Sequence, residues 1–309
     1  MRKGEAVKKD FLAITDLTRE EIEAVYQLAT ELKQKVKKGE AHPLLAGKTL
    51  GMIFQKPSAR TRVSFEVGMV QLGGHAVYLA PTDIQMGKRE STADIARVLS
   101  RYVDGLMARV FAHEDVLQLA AYASVPVVNG LSDLLHPCQV LSDLFTIGEH
   151  KGRMEGLSIA WVGDGNNVAN SWLNMATRFA LKLRLGIPEG YDPDPEILSS
   201  AKKAGLSEIE IVRDPREAVK DADVIYTDVW ASMGQEAEAE KRKAVFRPYQ
   251  VNGELVALAK PDVVVMHCLP AHRGDEITDE VMDGPHSIVF DQAENRLHVQ
   301  KALLVKLMS

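Results

Sequence analysis

Short runs of apolar and β-branched residues alternate along this chain with longer amphipathic stretches, and this rhythm constrains the fold more than any other feature. The pattern predicts strands at 50–54, 76–79, 105–110, 126–128, 157–162, 181–185, 209–212, 223–229, 262–267 and 287–290. It predicts helices at 18–38, 60–73, 91–102, 114–123 and 138–150, and in most of the later gaps. Because parallel strands need crossover connections, the chain is expected to be an α/β protein whose parallel sheets are flanked by helices.

The length of 309 residues exceeds the size at which one hydrophobic core usually stops growing, so we expect two domains of about 150 residues each. A polar, glycine-bounded segment at 151–156 follows the helix predicted at 138–150. We therefore expect domains at 1-150 and 151-290. The helical pattern at 291-309 comes after the last predicted strand and is expected to pack back onto the first domain.

Composition excludes some classes of function. The chain has 37 Lys and Arg against 43 Asp and Glu, a net charge of -6, and no basic stripe, so nucleic acid is not an expected partner. The charged start at 1–5 leads into no signal-peptide-like apolar stretch, and no apolar run reaches the roughly 18 residues of a membrane span. We expect a soluble cytoplasmic protein without a membrane partner. The two cysteines, Cys138 and Cys268, favour chemistry over a disulfide framework.

A candidate anion site follows the first predicted strand, where the turn at 56–59 leads into a helix beginning Arg60-Thr61-Arg62. Backbone N–H groups and the helix dipole favour an anion there, and Ser58, Arg60 and Thr61 add side-chain donors. One alternative is that Ser58 only caps the helix and Arg62 forms an i,i+4 ion pair. A cation in the first turn opposes the helix dipole, so Arg60 in particular predicts a bound phosphate.

Further polar side chains follow other predicted strands, at the sheet edge where open α/β proteins bind ligands. Arg109 ends one strand, and His136 and Gln139 open the helix after another. Asp228 could hold an ammonium group, and a thiolate at Cys268 could take a proton. A surface salt bridge for Arg109 and a helix cap for Asp228 are the structural alternatives.

Two cofactor interpretations compete with a small-molecule site. The turn at 163–168 resembles a dinucleotide-binding loop, but Val168 stands where the third glycine belongs and two asparagines fill the turn. A zinc site could draw on the histidines and cysteines His136, Cys138, His267, Cys268 and His272. Their spacing matches no standard Cys-x-x-Cys pattern, so neither a metal nor an organic cofactor is expected.

Four motifs, in this order, resemble the aspartate/ornithine carbamoyltransferase family and its ornithine-using members in particular. They are Lys56 to Arg62, His136-Pro137-Cys138-Gln139, Asp228 with Ser232-Met233-Gly234, and His267-Cys268-Leu269-Pro270. The similarity spans nearly the whole chain. It implies that domain 1-150 binds carbamoyl phosphate, that domain 151-290 binds L-ornithine, and that L-citrulline and phosphate form in the interdomain cleft. Carbamoyl phosphate is already activated, so the resemblance requires no cofactor.

The resemblance also assigns site residues. Those for carbamoyl phosphate are Ser58, Ala59, Arg60, Thr61, Gln85, Arg109, His136, Pro137, Cys138, Gln139, Cys268, Leu269 and Arg296. Those for ornithine are Asn167, Asp228, Ser232 and Met233. The catalytic residues would be Cys268, as proton acceptor or orienting group for the δ-amine, and Arg60, Arg109 and His136, which stabilise the oxyanion and the departing phosphate.

Two details of the resemblance concern assembly and specificity. Gln85 matches a residue that bacterial members contribute to a neighbouring subunit's site, which implies a homotrimer or a higher assembly of trimers. Ala59 stands where many members have threonine, and it keeps the backbone N–H. A carbamoyltransferase for another amine, such as putrescine or acetylornithine, and a silent binding homologue are the alternatives.

Overall fold

The computed structural model describes residues 8–87, 89–231 and 238–309. The strands β1 to β9 are Thr49–Phe54, His75–Leu79, Gly105–Arg109, Val127–Leu131, Ser158–Val162, Lys182–Gly186, Glu208–Val212, Val224–Thr227 and Val264–His267. The helices α1 to α13 are Arg19–Lys37, Ala59–Gln71, Pro81–Ile84, Thr92–Leu99, His113–Tyr122, Pro137–Lys151, Asn167–Met175, Pro195–Ala204, Pro215–Val219, Ala239–Phe246, Gly253–Val256, Asp279–Met282 and Val289–Met308. Short 3-10 helices lie at Ile14–Asp16 and Arg247–Tyr249.

One predicted strand is wrong. The segment predicted as a strand at 287–290 contributes only an isolated bridge from Ser287 to Val265, and α13 begins at Val289. The helix predicted at 18–38 is confirmed by its capping box. The Thr18 hydroxyl accepts from the Glu21 backbone N–H at 3.3 Å, and the Glu21 carboxylate accepts from the Thr18 N–H at 2.9 Å.

The chain divides into two compact units. The first comprises the residues up to Leu141 together with Arg296–Ser309, and the second is Ser142–Asn295. The sequence placed these divisions at 150 and 291, whereas the structure places them inside α6 and α13. A continuous helix shows no break in sequence at the residue where its contacts change, so pattern alone could not locate either division.

The first unit contains a parallel sheet in the order β2-β1-β3-β4, as predicted for an α/β fold. The chain goes from β1 outward to β2 and then returns to the other side of β1 to form β3 and β4. The strand order therefore reverses between β1 and β3. Ligands of open α/β sheets bind beyond the carboxyl ends of the strands at such a switch point. Phe54 and Arg109 are paired there.

The second unit repeats this plan with the order β7-β6-β5-β8-β9, again all parallel. Strands β6 and β7 lie on one side of β5, and β8 and β9 lie on the other. The switch point falls between β5 and β8, where Val162 pairs with Thr227, and Thr227 pairs in turn with His267. Residues that follow β5, β8 and β9 therefore meet at one edge of this sheet.

Burial differs among the strands. The inner strands β3, β5 and β8 and the edge strand β9 are buried along their whole length. Such burial is typical of parallel strands covered by helices on both faces. The edge strands β2 and β7 alternate between exposed and partly buried residues. In the part of the chain that the structure describes, no helix has both the length and the apolar character needed to cross a lipid bilayer.

Candidate active site

The predicted anion site lies at the start of α2, beyond the carboxyl end of β1. Ser58 is the N-cap, and its hydroxyl accepts from the Thr61 backbone N–H at 3.3 Å. Arg60 and Thr61 occupy the first turn, with Thr61 fully buried. Arg62 points away: it pairs with Glu66 at 3.0 Å and lies 4.0 Å over the Tyr78 ring. The alternative in which Arg62 forms an i,i+4 ion pair is therefore correct. Arg60 and Thr61 are the candidates in this turn for binding an anion.

Three arginines from separate elements gather around His136. Arg60 comes from α2, Arg109 ends β3, and Arg296 lies on α13. Burial of the imidazole, followed by the positive charges of Arg296, Arg109 and Arg60, holds the pKa of His136 well below its usual value. His136 is therefore neutral at pH 7 and offers one ring N–H as a donor rather than a cation. The resulting concentration of positive charge at the β1/β3 switch point suits an anionic ligand.

Arg296 reaches this site from a distant part of the sequence. It is 4% exposed, and its Nη2 donates to the Thr61 hydroxyl at 3.2 Å. The sequence prediction grouped Arg296 with Thr61 only through the family resemblance, since the two residues are 235 positions apart. The structure thus brings Thr61, Arg296, Arg109 and His136 together within one unit.

The helix α6 starts directly after His136, with Pro137 in its first turn, where a missing N–H is tolerated. Gln139 is buried in the same turn. Cys138 is also buried, and its thiol donates to the Asn129 carbonyl at 3.4 Å. Burial raises the pKa of this thiol to about 12, so Cys138 is an unreactive thiol that faces β4. Its predicted contact with a ligand would have to be made by its backbone.

Gln85 lies apart from these residues in the folded segment that follows β2. It is exposed, adopts a left-handed backbone with φ of 43°, and donates from its amide to the Thr82 carbonyl at 3.4 Å. Its exposure beside the edge strand β2 is compatible with a contact made to another copy of the chain.

In the second unit, Asp228 is the centre of a hydrogen-bond network at the β5/β8 switch point. Its Oδ1 accepts from the Val229 N–H at 2.8 Å and from the Cys268 thiol at 2.9 Å. Its Oδ2 accepts from the Asn166 side-chain amide at 2.7 Å. Asp228 is 7% exposed, and Cys268 is partly exposed. A buried carboxylate beside an accessible thiol can orient an amine and accept its proton.

The loop after β9 is held by His267. Leu269 has a left-handed backbone with φ of 59°, a conformation that costs a non-glycine residue about 1–3 kcal/mol. Its N–H donates to His267 Nδ1 at 2.8 Å, and His267 Nε2 lies 3.0 Å from the buried Glu276 carboxylate. Because Nδ1 accepts, Nε2 carries the proton and donates to Glu276. Cys268 is thus presented from a loop fixed on both sides.

Metal ligation can be tested on this geometry. Within residues 8–87, 89–231 and 238–309, the side chains close enough to share an ion are Asp228, His267 and Cys268, whose ligand atoms lie within 4.8 Å of one another. Both ring nitrogens of His267 already have protein partners, and Cys268 and Asp228 bond each other. The set therefore fits a hydrogen-bonded site better than a metal centre.

Asn166 and Asn167 occupy the turn that had suggested a dinucleotide. Asn166 caps α7 and accepts from the Val168 and Ala169 N–H groups at 2.9 and 3.2 Å. A dinucleotide phosphate would need these same N–H groups, which the Asn166 side chain already occupies. The Asn166 amide donates to Asp228 instead. Asn167, one of the four predicted ornithine residues, begins α7 beside it. Two more, Ser232 and Met233, lie outside the described residues.

Two contributors to this site escaped the sequence prediction. Asn166 was passed over for its neighbour, although an asparagine directly before a helix is a recognisable capping signal. The second is the ion pair between Arg242 Nη2 and Asp164 Oδ2, 2.5 Å apart and almost fully buried. Burial is the main reason that the pKa of Asp164 is raised to about 6. No local pattern in the sequence pairs these two residues.

The comparison with known proteins agrees with this geometry. Residues 9–149 match the carbamoyl-P binding domain of aspartate/ornithine carbamoyltransferase, and residues 155–307 match its Asp/Orn binding domain. An ornithine carbamoyltransferase of Thermococcus kodakarensis is 59% identical over 97% of this chain and 96% of its own. An anabolic ornithine carbamoyltransferase of Pyrococcus furiosus is 57% identical, with 97% and 96% covered.

The fold agrees as well. The solved structure of ornithine carbamoyltransferase from Pyrococcus furiosus superimposes with a TM-score of 0.93 at 56% identity, covering 98% of this chain and 99% of that one. Both halves of the sequence and the whole fold thus match a single family. The chain belongs to the aspartate/ornithine carbamoyltransferase family.

Proposed function

We propose that this chain is an ornithine carbamoyltransferase of arginine biosynthesis. It transfers the carbamoyl group of carbamoyl phosphate to the δ-amine of L-ornithine and releases L-citrulline and phosphate. The observation that carries the proposal is the gathering of Arg60, Arg109 and Arg296 around a neutral His136. The similarity to relatives named ornithine carbamoyltransferase, one of them 59% identical, supports the choice of acceptor.

The first unit binds carbamoyl phosphate. The start of α2 offers backbone N–H groups at Ala59 and Arg60 to the phosphate, and Ser58, Arg60 and Thr61 add side-chain donors. Arg109 and the neutral His136 N–H donate to the carbonyl oxygen, which becomes an oxyanion when the amine attacks. The remaining contacts to this substrate come from Gln85, Pro137, Cys138, Gln139, Cys268, Leu269 and Arg296.

The second unit binds L-ornithine. Asp228 holds the α-amino group, and Asn167, Ser232 and Met233 complete the contacts to the amino-acid end. The δ-amine must lose a proton before it attacks, because an ammonium has no lone pair. The Cys268 thiol donates to Asp228, and its sulfur orients the amine. Once the thiol hydrogen has passed to that carboxylate, the resulting thiolate takes up the amine proton. Carbamoyl phosphate supplies the activated carbonyl, so the step needs no cofactor.

The active assembly is a homotrimer in the cytoplasm, or a larger assembly of such trimers. Helix α2 exposes a stripe of three valines at Val63, Val67 and Val70, with exposures of 54%, 37% and 68%. These residues are spaced four and three positions apart, so they share one helix face, and an exposed apolar stripe of this kind favours an interface between proteins. Gln85 is then available to complete the carbamoyl phosphate site of a neighbouring copy.

The function is tested with a panel of amines and carbamoyl phosphate, combined with the measured mass in solution. We expect citrulline from ornithine, and at least a hundredfold slower carbamoylation of putrescine and acetylornithine. Arg60→Gln is expected to raise the KM for carbamoyl phosphate at least tenfold, since it removes a charge-assisted hydrogen bond. Turnover of another amine faster than ornithine, or an Arg60→Gln variant within a few-fold of the parent, would contradict the assignment.

A further inference from the structure

A buried polar seam joins the phosphate-binding helix α2 to the C-terminal helix α13. Thr61, Ser64, Gly68 and Gln71 follow one another at spacings of three and four on α2, so they share one face. A Cβ on Gly68 would lie 3.2 Å from Lys301 Cγ, which shows how closely α13 approaches this face. The two helices therefore pack closely along the stretch that begins at the anion site.

Gln300 lies in this seam between Arg296 and Ser64. Its Oε1 accepts from Arg296 Nε at 3.2 Å, and its Nε2 donates to the Ser64 hydroxyl at 2.9 Å. This amide orientation is required by chemistry, because an arginine Nε–H can only donate and must face the amide oxygen. Gln300 is 1% exposed and Arg296 is 4% exposed, so the bond forms away from bulk water.

Both partners of Gln300, Arg296 and Ser64, also form hydrogen bonds with Thr61. Arg296 Nη2 donates to the Thr61 hydroxyl at 3.2 Å, and the Ser64 hydroxyl lies 3.2 Å from the Thr61 carbonyl, to which it donates. Because the Thr61 oxygen accepts from Arg296, the hydrogen of its own hydroxyl can be donated to a ligand. The contact from Gln300 to Arg296 therefore helps set both the guanidinium position and the polarity of the Thr61 hydroxyl.

We propose that Gln300 is a positioning residue for phosphate binding, which aligns the Arg296 guanidinium and, through it, the Thr61 hydroxyl. The inference rests on the proposed function in that the bound phosphate belongs to carbamoyl phosphate. Gln300 acts on the ligand indirectly, through its hydrogen bond with Arg296. The expected consequence is selective: binding of carbamoyl phosphate and phosphate depends on Gln300, whereas the affinity for ornithine at saturating carbamoyl phosphate does not.

The test compares three variants with the full-length parent. Gln300→Leu removes the acceptor, leaves Arg296 Nε without that partner, and is expected to raise the KM for carbamoyl phosphate about tenfold or more. Gln300→Glu keeps an acceptor for Arg296 and adds an opposite charge, so it is expected to stay within about threefold of the parent. Ornithine KM and kcat should change less than threefold in both variants.

Gln71→Leu is the matched control. Gln71 accepts from Lys301 Nζ at 2.7 Å in the same helix pair but does not bond Arg296. This variant makes the same chemical change as Gln300→Leu and should lower the melting temperature without raising the KM for carbamoyl phosphate. Equal KM increases in Gln71→Leu and Gln300→Leu would show that the cause is general loosening of the helix pair, and the proposal would fail.

Binding of inorganic phosphate, followed by calorimetry, separates this inference from the proposed function. If the parent made no citrulline but bound phosphate more tightly than Gln300→Leu, the acceptor assignment would fail and the role of Gln300 would stand. If the parent were active and Gln300→Leu bound phosphate as tightly, the role of Gln300 would be refuted. Should Gln300→Leu not fold, Ser64→Ala tests the same chain of contacts. Its phosphate affinity must fall, because the Gln300 amide then loses the hydroxyl that holds it.

Discussion

Replacing Asp228 by asparagine tests the second unit most sharply, because the shape of the side chain is kept and only its charge and one acceptor are lost. The carboxylate accepts three hydrogen bonds, from the Val229 N–H, the Cys268 thiol and the Asn166 amide. An asparagine has one acceptor oxygen, so its NH2 group must face one of these donors. Asn166 cannot turn to accept, because its own oxygen already holds the Val168 and Ala169 N–H groups.

The magnitude follows from that count. One charge-assisted bond becomes a contact between two donors, which costs about 1.5–3 kcal/mol. The other two bonds lose their ionic character and about half their strength. We expect Asp228→Asn to lower the free energy of unfolding by about 2–4 kcal/mol, a fall in melting temperature of roughly 5–10 °C. Under the proposed function this carboxylate holds the α-amino group of ornithine, so kcat/KM for ornithine should fall about a hundredfold, with the KM for carbamoyl phosphate unchanged.

The assay is citrulline formation with each substrate varied in turn, together with thermal unfolding. Asp279→Asn is the control, because this exposed carboxylate pairs with Arg273 on the same unit, Arg273 keeps a second partner in Asp283, and surface ion pairs contribute little to stability. A double-mutant cycle with Cys268→Ala should show a coupling of about 1 kcal/mol between Asp228 and Cys268. If Asp228→Asn kept the melting temperature of the parent and a kcat/KM for ornithine within threefold of it, the central role given to Asp228 in this hydrogen-bond network would be refuted.

Three further outcomes follow from the structure. The pKa of His136 is held below 6.5 in the folded state, so as pH falls below 6.5 the unfolded chain takes up a proton that the folded chain does not. The free energy of unfolding should therefore fall by about 1.4 kcal/mol per pH unit. Denaturant titrations between pH 7 and 5 should show a weaker dependence of this free energy on pH in His136→Gln. Val67→Lys places a charge in the exposed valine stripe of α2 and should lower the mass measured by sedimentation, whereas an unchanged trimer would exclude that stripe as the interface. A Cβ on Gly165 would lie 2.4 Å from the Pro193 nitrogen, so Gly165→Ala should destabilise the chain by about 1–3 kcal/mol in denaturant titrations, while a neutral effect would show that the backbone at 191–193 can move.

The parts of the site that sequence could predict are those fixed by local pattern. A few residues of sequence are enough to recognise the strand and the helix start that contains Ser58 and Arg60. The same holds for the strand end at Arg109 and the helix start after His136. Their roles came from the family resemblance, and the assigned roles remain proposals. The structure adds which of them share one unit.

The parts that sequence could not predict depend on contacts between distant residues. Gln300 and Ser64 are 236 positions apart, and Arg242 and Asp164 are 78 apart, so no periodic pattern joins them. The wrong strand at 287–290 has a related cause. A short apolar run reads alike as a strand or as the first turn of a buried helix, and only its neighbours decide.

Both units have a switch point in the strand order of their sheet, and the charged side chains at the two switch points have opposite signs. Each sheet reverses its strand order beside its first strand, which opens a place for a ligand at the carboxyl ends of two neighbouring strands. In the first unit that place collects Arg60, Arg109 and Arg296, and in the second it holds the carboxylate of Asp228. Fields of opposite sign select substrates of opposite sign. Under the proposed function, the phosphate compound binds the first unit and the ammonium-bearing acceptor binds the second, so exchanging the charge at one switch point should weaken binding of one substrate only.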